Sequence, residues 1–345
     1  MLRFPPFYEA AHRALDARAK TFAEGDEGGS QRQRVAALAA AGLLERTDAR
    51  GIGVTRARLA YTDGLTDLAY IVQELGLFPL EHAAGFDAEI AEARAGRSII
   101  AFALTEPEAG SDVRAISTRA ERVGDAWTLS GEKCFISNAP ECDRAVVFAR
   151  ADESVAAFLV ERPVTSAQAV SGHSIGRVHL RRTPARLISA KGFGLAFGTL
   201  ELCRPTVACT AYGMARRALD ETVRHVRARV QFGAPLAALP VVRHRVAEMA
   251  LGLETIGLAA ANACWMRDQA VSGVRTGYDA AVGKVLATET AQRVIDAAVQ
   301  LHGALGVEEG SVVQALYRDI RPLRIYEGAT DVLMTVIASH WLESP

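Results

Sequence analysis

Near the end of the chain, the stretch "IYEGATDV" (Ile325 to Val332) sets one carboxylate, Glu327, between a tyrosine and a glycine with apolar residues on either side. Removing a glutamate from water is costly, so the residue asks for a reason. In an apolar pocket, desolvation raises a carboxyl pKa toward the working pH, which suits a general base. Gly328 would let the chain pass close to a ligand, since it adds no side chain. The plainer alternative is an ion pair with Arg321 or Arg324 near a helix start.

Three further stretches carry groups that could bind an anion or a ring system. In "LTEPEAGSD" (Leu104 to Asp112), glycine and serine at a strand-end turn can present N–H groups and a hydroxyl to an anion or a flavin edge. An ordinary surface turn is the competing reading. "RVQFG" (Arg229 to Gly233) follows a long helical pattern. Its arginine could grip a pyrophosphate through forked donors, or simply favour a helix C-terminus. "AVQLHGALG" (Ala298 to Gly306) closes another helix, with His302 in a core or interface role and Gly303 and Gly306 as the stop.

Other chemistries find little support. "KGFGLAFG" (Lys191 to Gly198) has the spacing G-x-G-x-x-x-G, without a βαβ unit or a ribose-binding acid, and reads as a flexible entry into a helix. The five cysteines are scattered, as expected of reduced thiols in a cytoplasmic protein. His173 and His179 fall six apart with no zinc-type pattern around them, so no metal site is expected. Net charge is -1 with no basic stripe, which argues against a nucleic-acid partner. No signal peptide is read at the N-terminus, and no apolar run is expected to span a membrane.

The elements that must hold these groups follow from periodicity. Half of the 345 residues are hydrophobic, enough for a substantial core. Residues 1–97 read as a helical domain, with "RQRVAALAAAGLLER", "DGLTDLAYIVQELGLF" and "FDAEIAEARAG" as helices and Gly51 to Gly53 as a break. Residues 98–190 read as a β domain of short antiparallel strands in a barrel or sandwich, with Gly124-Asp125 as a hairpin turn. Residues 191–345 return to long apolar-faced helices, a four-helix bundle whose last member begins near Thr330. The fold class is mainly α with a β domain.

Taken together and in this order, "TEPEAGSD", "RVQFG", "AVQLHG" and "IYEG" resemble the acyl-CoA dehydrogenase family of flavoproteins. The resemblance runs from about Leu65 to the C-terminus. It implies an N-terminal helical domain, a middle β domain and a C-terminal bundle, and FAD bound without a dinucleotide fingerprint. Residues Phe102 to Ser111 match the strand and turn along the flavin, including Leu104, Thr105, Gly110 and Ser111. Phe135, Ile136 and Ser137 match the segment behind the isoalloxazine, where phenylalanine replaces the family's usual tryptophan. Arg229, Gln231 and Phe232 resemble residues that reach the FAD of a neighbouring subunit. Gln300, Leu301, Gly303 and Ala304 would meet that same FAD. Ala329-Thr330 departs from the family's usual Gly-Thr order after the glutamate, and Thr330 would take the place of the lost hydroxyl.

The reaction so implied is α,β-dehydrogenation of an acyl thioester, acyl-CoA or acyl-carrier-protein. Glu327 takes the α-proton, and the developing enolate is helped by a backbone N–H and a ribityl hydroxyl. Tyr326, Gly328 and Ser111 would line the substrate. Arg204 matches a family arginine near the thioester, and Glu201 is a rival carboxylate on the same helix. Cys203 stands where some members place an alternative base. An electron-transfer flavoprotein or similar acceptor would reoxidise the flavin, and a homo-oligomer, dimer or tetramer, is expected. Segments between Leu77 and Ser98 and between Pro163 and Leu187 look shortened. That opens an alternative, a non-catalytic subunit of a heteromeric dehydrogenase, and an oxidase variant is a third reading.

Overall fold

The computed structural model describes residues 5–26, 28–168, 174–269 and 277–343, so His173 lies outside the described residues. Five helices come first: α1 (Ala10–Gly25), α2 (Gln31–Ala40), α3 (Ala49–Thr62), α4 (Gly64–Glu81) and α5 (Asp87–Arg94). Seven strands follow: β1 (Ile100–Ala103), β2 (Arg119–Val123), β3 (Ala126–Ser137), β4 (Arg144–Ala151), β5 (Ser154–Glu161), β6 (Val164–Gln168) and β7 (Ile175–Ser189). Next come α6 (Gly192–Ala228), a short hairpin of β8 (Val230–Gln231) and β9 (Ala234–Pro235), and α7 (Pro240–Gln269). The last described helices are α8 (Gly277–His302), α9 (Val312–Ile320) and α10 (Thr330–Leu342). The chain divides into two compact units, one of residues 26–46 with 68–200, the other of residues 1–25 and 47–67 with 201–345.

The first unit is built on the strands. β4, β2, β3, β7 and β5 pair in a closed circuit because β5 returns to β4, while β1 adds to β4 and β6 to β7. Closure leaves few unpaired edges for another chain to join. The sheet is not purely antiparallel as the sequence suggested: β1 and β2 each pair with β4 in parallel. The chain between β1 and β2 and the hairpin back from β3 give those strands the same direction as β4. Gly124-Asp125 forms the two-residue β2–β3 turn, with Gly124 at φ 63°. Alternate side chains of β4 and β5 feed two apolar clusters, one around Val146, Phe148 and Leu159, the other around Val147, Phe158 and Val160. α2 opens on a capping box between Ser30 and Gln33, and Gly42 at φ 67° follows its end.

The second unit packs α6, α7 and α8 around a core of small and medium side chains, including Ala211, Ala215, Leu253, Ile256, Ala291 and Ile295. Two glycine-rich expectations give way here. Gly51 and Gly53 do not break the chain; both lie inside α3, which Asp48 caps by accepting from the Gly51 N–H. A Cβ on Gly53 would come within 2.7 Å of Cys209 Sγ, so glycine is what lets these helices approach. "GFGLAFG" is likewise the opening of α6 rather than a flexible entry. α7 corrects a third expectation, since by length and composition alone it could cross a bilayer. Its apolar residues Met249, Leu253, Ile256, Ala260 and Cys264 are buried in the bundle core, which accounts for the composition.

Candidate active site

Glu327 lies in the second unit, between a short turn of helix at Arg321–Arg324 and α10. Its backbone is left-handed, φ 52°, and Gly328 continues at φ 106°. An L-residue in that region costs about 1–2 kcal/mol, so surrounding contacts must impose the turn. They are visible. Arg204 Nε donates to the Glu327 carbonyl at 2.8 Å. Lys284 Nζ donates to the Tyr326 carbonyl at 2.5 Å and to the Gly328 carbonyl. A Cβ on Gly328 would stand 2.9 Å from Leu333 Cδ2, so the position also leaves no room for a side chain.

One oxygen of the carboxyl group is left without a hydrogen-bond partner. Oε2 is buried and has no hydrogen bond among the described residues. Among the described residues Glu327 forms no ion pair with Arg321 or Arg324, the plain alternative that sequence offered, and Arg324 instead binds Glu289 at 2.7 Å. Burial pushes the Glu327 carboxyl above the usual carboxylate range, against the opposing charges of Arg56, Lys284 and Arg204. A buried, unpaired acceptor is expensive unless it is held for a purpose, and a raised carboxyl pKa is what proton abstraction requires.

Behind the turn lies a buried ionic network. Arg56 on α3 is fully buried and grips Asp67 through two bonds of 2.9 and 3.0 Å. Thr206 and Thr210 on α6 complete it, one accepting from Arg56 at 3.0 Å and the other donating to Asp67 at 2.9 Å. Glu201 and Cys203 precede Arg204 on α6, with Cys203 wholly buried and Glu201 partly exposed. Tyr326 packs against the bundle core, and burial raises its hydroxyl pKa. Thr330 starts α10 and donates to Glu289 at 3.0 Å, so its hydroxyl serves the Arg324–Glu289 pair.

The remaining expected residues of this unit lie on its surface. Arg229 follows α6, and Gln231 and Phe232 belong to the β8–β9 hairpin. Phe232 at φ 53° and Gly233 at φ 78° form its tip, leaving the phenylalanine ring 93% exposed. Gln300 is exposed at the end of α8, Leu301 is partly buried, and Gly303 and Ala304 are exposed beyond it.

In the first unit, Phe102 packs its ring 5.0 Å from Phe148, and Leu104 is buried. Thr105 is partly exposed, whereas Gly110 and Ser111 are exposed. Glu106 anchors the turn: its carboxylate accepts from Lys133 Nζ at 2.7 Å, Ser117 Oγ at 2.8 Å and the Thr118 N–H at 3.0 Å. Burial opposes the Glu106 charge, but Lys133 and these donors hold its pKa down to about 2. Lys133, fully buried, is itself lowered to about 8 by burial. Phe135 sits at a bulge in β3 with φ 54° and is 61% exposed, while Ile136 is buried and Ser137 intermediate. An exposed ring on a strained strand position is a feature to explain by a ligand or partner.

Lys284, Arg56 and Asp67 were not singled out from sequence. Lys284 shares the buried stripe of α8 with Ala280, Ala281, Ala287, Thr288 and Ala291. A charged residue on an apolar stripe at helical spacing was the available signal.

Comparison with known proteins gives this architecture a family. The acyl-CoA dehydrogenase middle-domain profile matches residues 101–185, and the C-terminal-domain profile matches residues 190–342. The 3-(aryl)acrylate reductase of Clostridium sporogenes is 34% identical over 266 residues, covering 72% of this chain and 70% of that protein. The human mitochondrial short-chain specific acyl-CoA dehydrogenase is 36% identical over 267 residues, covering 72% of this chain and 64% of its own length. A glutaryl-CoA dehydrogenase from Mycobacterium smegmatis in complex with FADH2 superposes with a TM-score of 0.91, covering 99% of this chain and 97% of that one. At 20% identity that likeness concerns the fold alone. The class is that of oxidoreductases acting on CH–CH bonds. The chain belongs to the acyl-CoA dehydrogenase family.

Proposed function

We propose that this chain is an FAD-dependent acyl-CoA dehydrogenase in which Glu327 removes the α-proton of the thioester. The carrying observation is the buried, unpartnered Oε2 of Glu327 on a turn held by Arg204 and Lys284. The carboxylate accepts the proton at Oε1 or Oε2, with its basicity raised by burial and its charged form still favoured by three nearby cations. The Glu327 N–H, carried on the same clamped turn, would donate to the thioester oxygen as negative charge grows there. Bound FAD would accept the hydride that leaves Cβ. Arg204, Tyr326 and Gly328 would line the substrate together with Glu201.

The residues present fit such a cofactor. The exposed, strained Phe135 supplies an aromatic face beside Ile136 and Ser137. The turn of Thr105, Gly110 and Ser111 is anchored from within by Glu106 and Lys133, which leaves its outer face for binding. Arg229, Gln231 and Phe232, with Gln300, Leu301, Gly303 and Ala304, would hold the FAD of a second subunit, and Thr330 would steady the nearby turn. The bare Phe232 ring supports that arrangement and an oligomeric state. The chain would divide into an N-terminal helical domain of residues 1–97, a middle β domain of 98–190 and a C-terminal bundle of 191–345, with an electron-transfer flavoprotein as acceptor. Five free thiols suit a reducing, cytoplasmic setting.

Glu327→Gln is the test. The variant should retain flavin and lose anaerobic bleaching by acyl-CoA, with turnover down by at least about 10³-fold, the scale of removing a positioned base. Substantial residual turnover would defeat the assignment. A wild-type chain that takes up flavin only with a second gene product would instead support the heteromeric subunit reading.

A further inference from the structure

Three consecutive main-chain carbonyls, those of Tyr326, Glu327 and Gly328, each accept from a cationic side chain. Arg204 takes the middle one, and Lys284 alone takes the two that flank the base. Lys284 is 1% exposed and rises from the buried stripe of α8, forty-three positions before Glu327 in sequence. Leucine or methionine there would pack with no desolvation penalty, whereas an ammonium must recover its hydration from the groups it meets. The groups it meets are the backbone of the Glu327 turn.

We propose that Lys284 is a positioning residue for the base, bridging the carbonyls on either side of Glu327 so that the left-handed turn aims the carboxylate, and placing a fixed cation next to it. This rests on the reading of Glu327 as the base. Committing all three carbonyls to protein donors, with the Tyr326 N–H already donating to the Pro322 carbonyl, leaves the carboxylate and the Glu327 N–H for substrate. The charged and titratable groups around the pair are Arg204 and, through it, Glu201 on α6, Arg56 on α3, Asp67 on α4 and Tyr326 on the turn itself. Burial draws the Lys284 pKa down to about 8, with Glu327 opposing that fall and Arg204 adding to it. The clamp is therefore protonated at neutral pH and weakens as pH rises through about 8. Its charge also lowers the Glu327 pKa, so removing it makes the base harder to ionise.

The experiment compares Lys284→Met and Lys284→Arg with wild type and Glu327→Gln, as flavin-loaded enzyme for the kinetics. Lys284→Met should lower kcat/KM by roughly 10²-fold, the scale of a misplaced catalytic group, and move the acid limb of its pH profile upward. Lys284→Arg, which keeps the charge, should leave that limb near its wild-type position. A readout independent of turnover is the infrared band of a protonated carboxylic acid, assigned to Glu327 by its loss in Glu327→Gln. In flavin-free protein, Lys284→Met should move the titration midpoint of that band to higher pH. Wild-type kcat/KM with an unmoved limb and band overturns the proposal. Should Lys284→Met prove insoluble, Lys284→Gln, neutral but still a donor, carries the same band measurement, and an unchanged midpoint is again fatal. Turnover by Glu327→Gln defeats the base assignment itself. Wild-type behaviour of Lys284→Met beside an inactive Glu327→Gln defeats only the role given to Lys284.

Discussion

Gly328→Ala probes the turn with the smallest possible change. At φ 106° an alanine lies beyond the left-handed region that non-glycine residues occasionally tolerate, at a cost of about 2 kcal/mol. The new methyl would also stand 2.9 Å from Leu333 Cδ2, where carbon atoms prefer roughly 3.5–4.0 Å. Leu333 is 2% exposed, so its side chain has little room to retreat. Overpacking of this kind costs about 1–3 kcal/mol. The sum, about 3–5 kcal/mol, is a sizeable part of a typical folding stability of about 5–15 kcal/mol.

The protein can lower that cost by shifting the turn, and such a shift moves Glu327. A displacement near 1 Å at a reacting group costs about 10²-fold in rate. Denaturant unfolding and acyl-CoA bleaching should therefore both suffer, in proportions that report how far the turn moves. Adding Leu333→Ala separates the two sources of strain. It removes the methyl contact and leaves the φ cost, so the double variant should be more stable than the sum of the single losses predicts. Strict additivity, or a Gly328→Ala enzyme with wild-type stability and bleaching rate, would refute the reasoning.

Other expectations follow from the same structure. Arg229→Ala should lower flavin retention while leaving the melting temperature of flavin-free protein unchanged, because the side chain is exposed beyond α6; undiminished flavin content counts against its cofactor role. Lys133→Met should destabilise the protein by about 3–5 kcal/mol, since it strands the buried Glu106 carboxylate, and Lys133→Met with Glu106→Gln should recover most of that loss in a thermal melt. Glu106 has its folded pKa depressed to about 2, so the stability it contributes is present above the ordinary carboxylate range and is lost as pH falls from about 4.5 to about 2. Glu106→Gln should flatten that acid limb of the melting temperature, and an unchanged limb would exclude the pair as its source.

Some of this was legible without coordinates. The helix–strand–helix order could be read because apolar spacing changes from helical to alternating near Ser98 and back near Lys191, and those periods are local. The Gly124-Asp125 turn was legible for the same reason, and so was the oddity of a carboxylate inside "IYEG". Glycines were misread where tertiary contact overrides local preference. Gly51, Gly53, Gly192 and Gly194 signal flexibility in isolation, but within α3 and α6 the glycine positions belong to regular helix, as at Gly53 against Cys209.

What sequence alone determined was the set of groups available for chemistry and the elements that carry them. Which charges would be buried together was decided by packing. Arg56 and Lys284 lie 271 and 43 positions from Glu327, and no local pattern records that two separate helices bring them to one turn. Arg324 was the nearer cation in sequence, but Glu289 on α8 claims it. Electrostatic energy depends on distance in space and on the exclusion of water, and neither is a property of neighbouring residues along the chain.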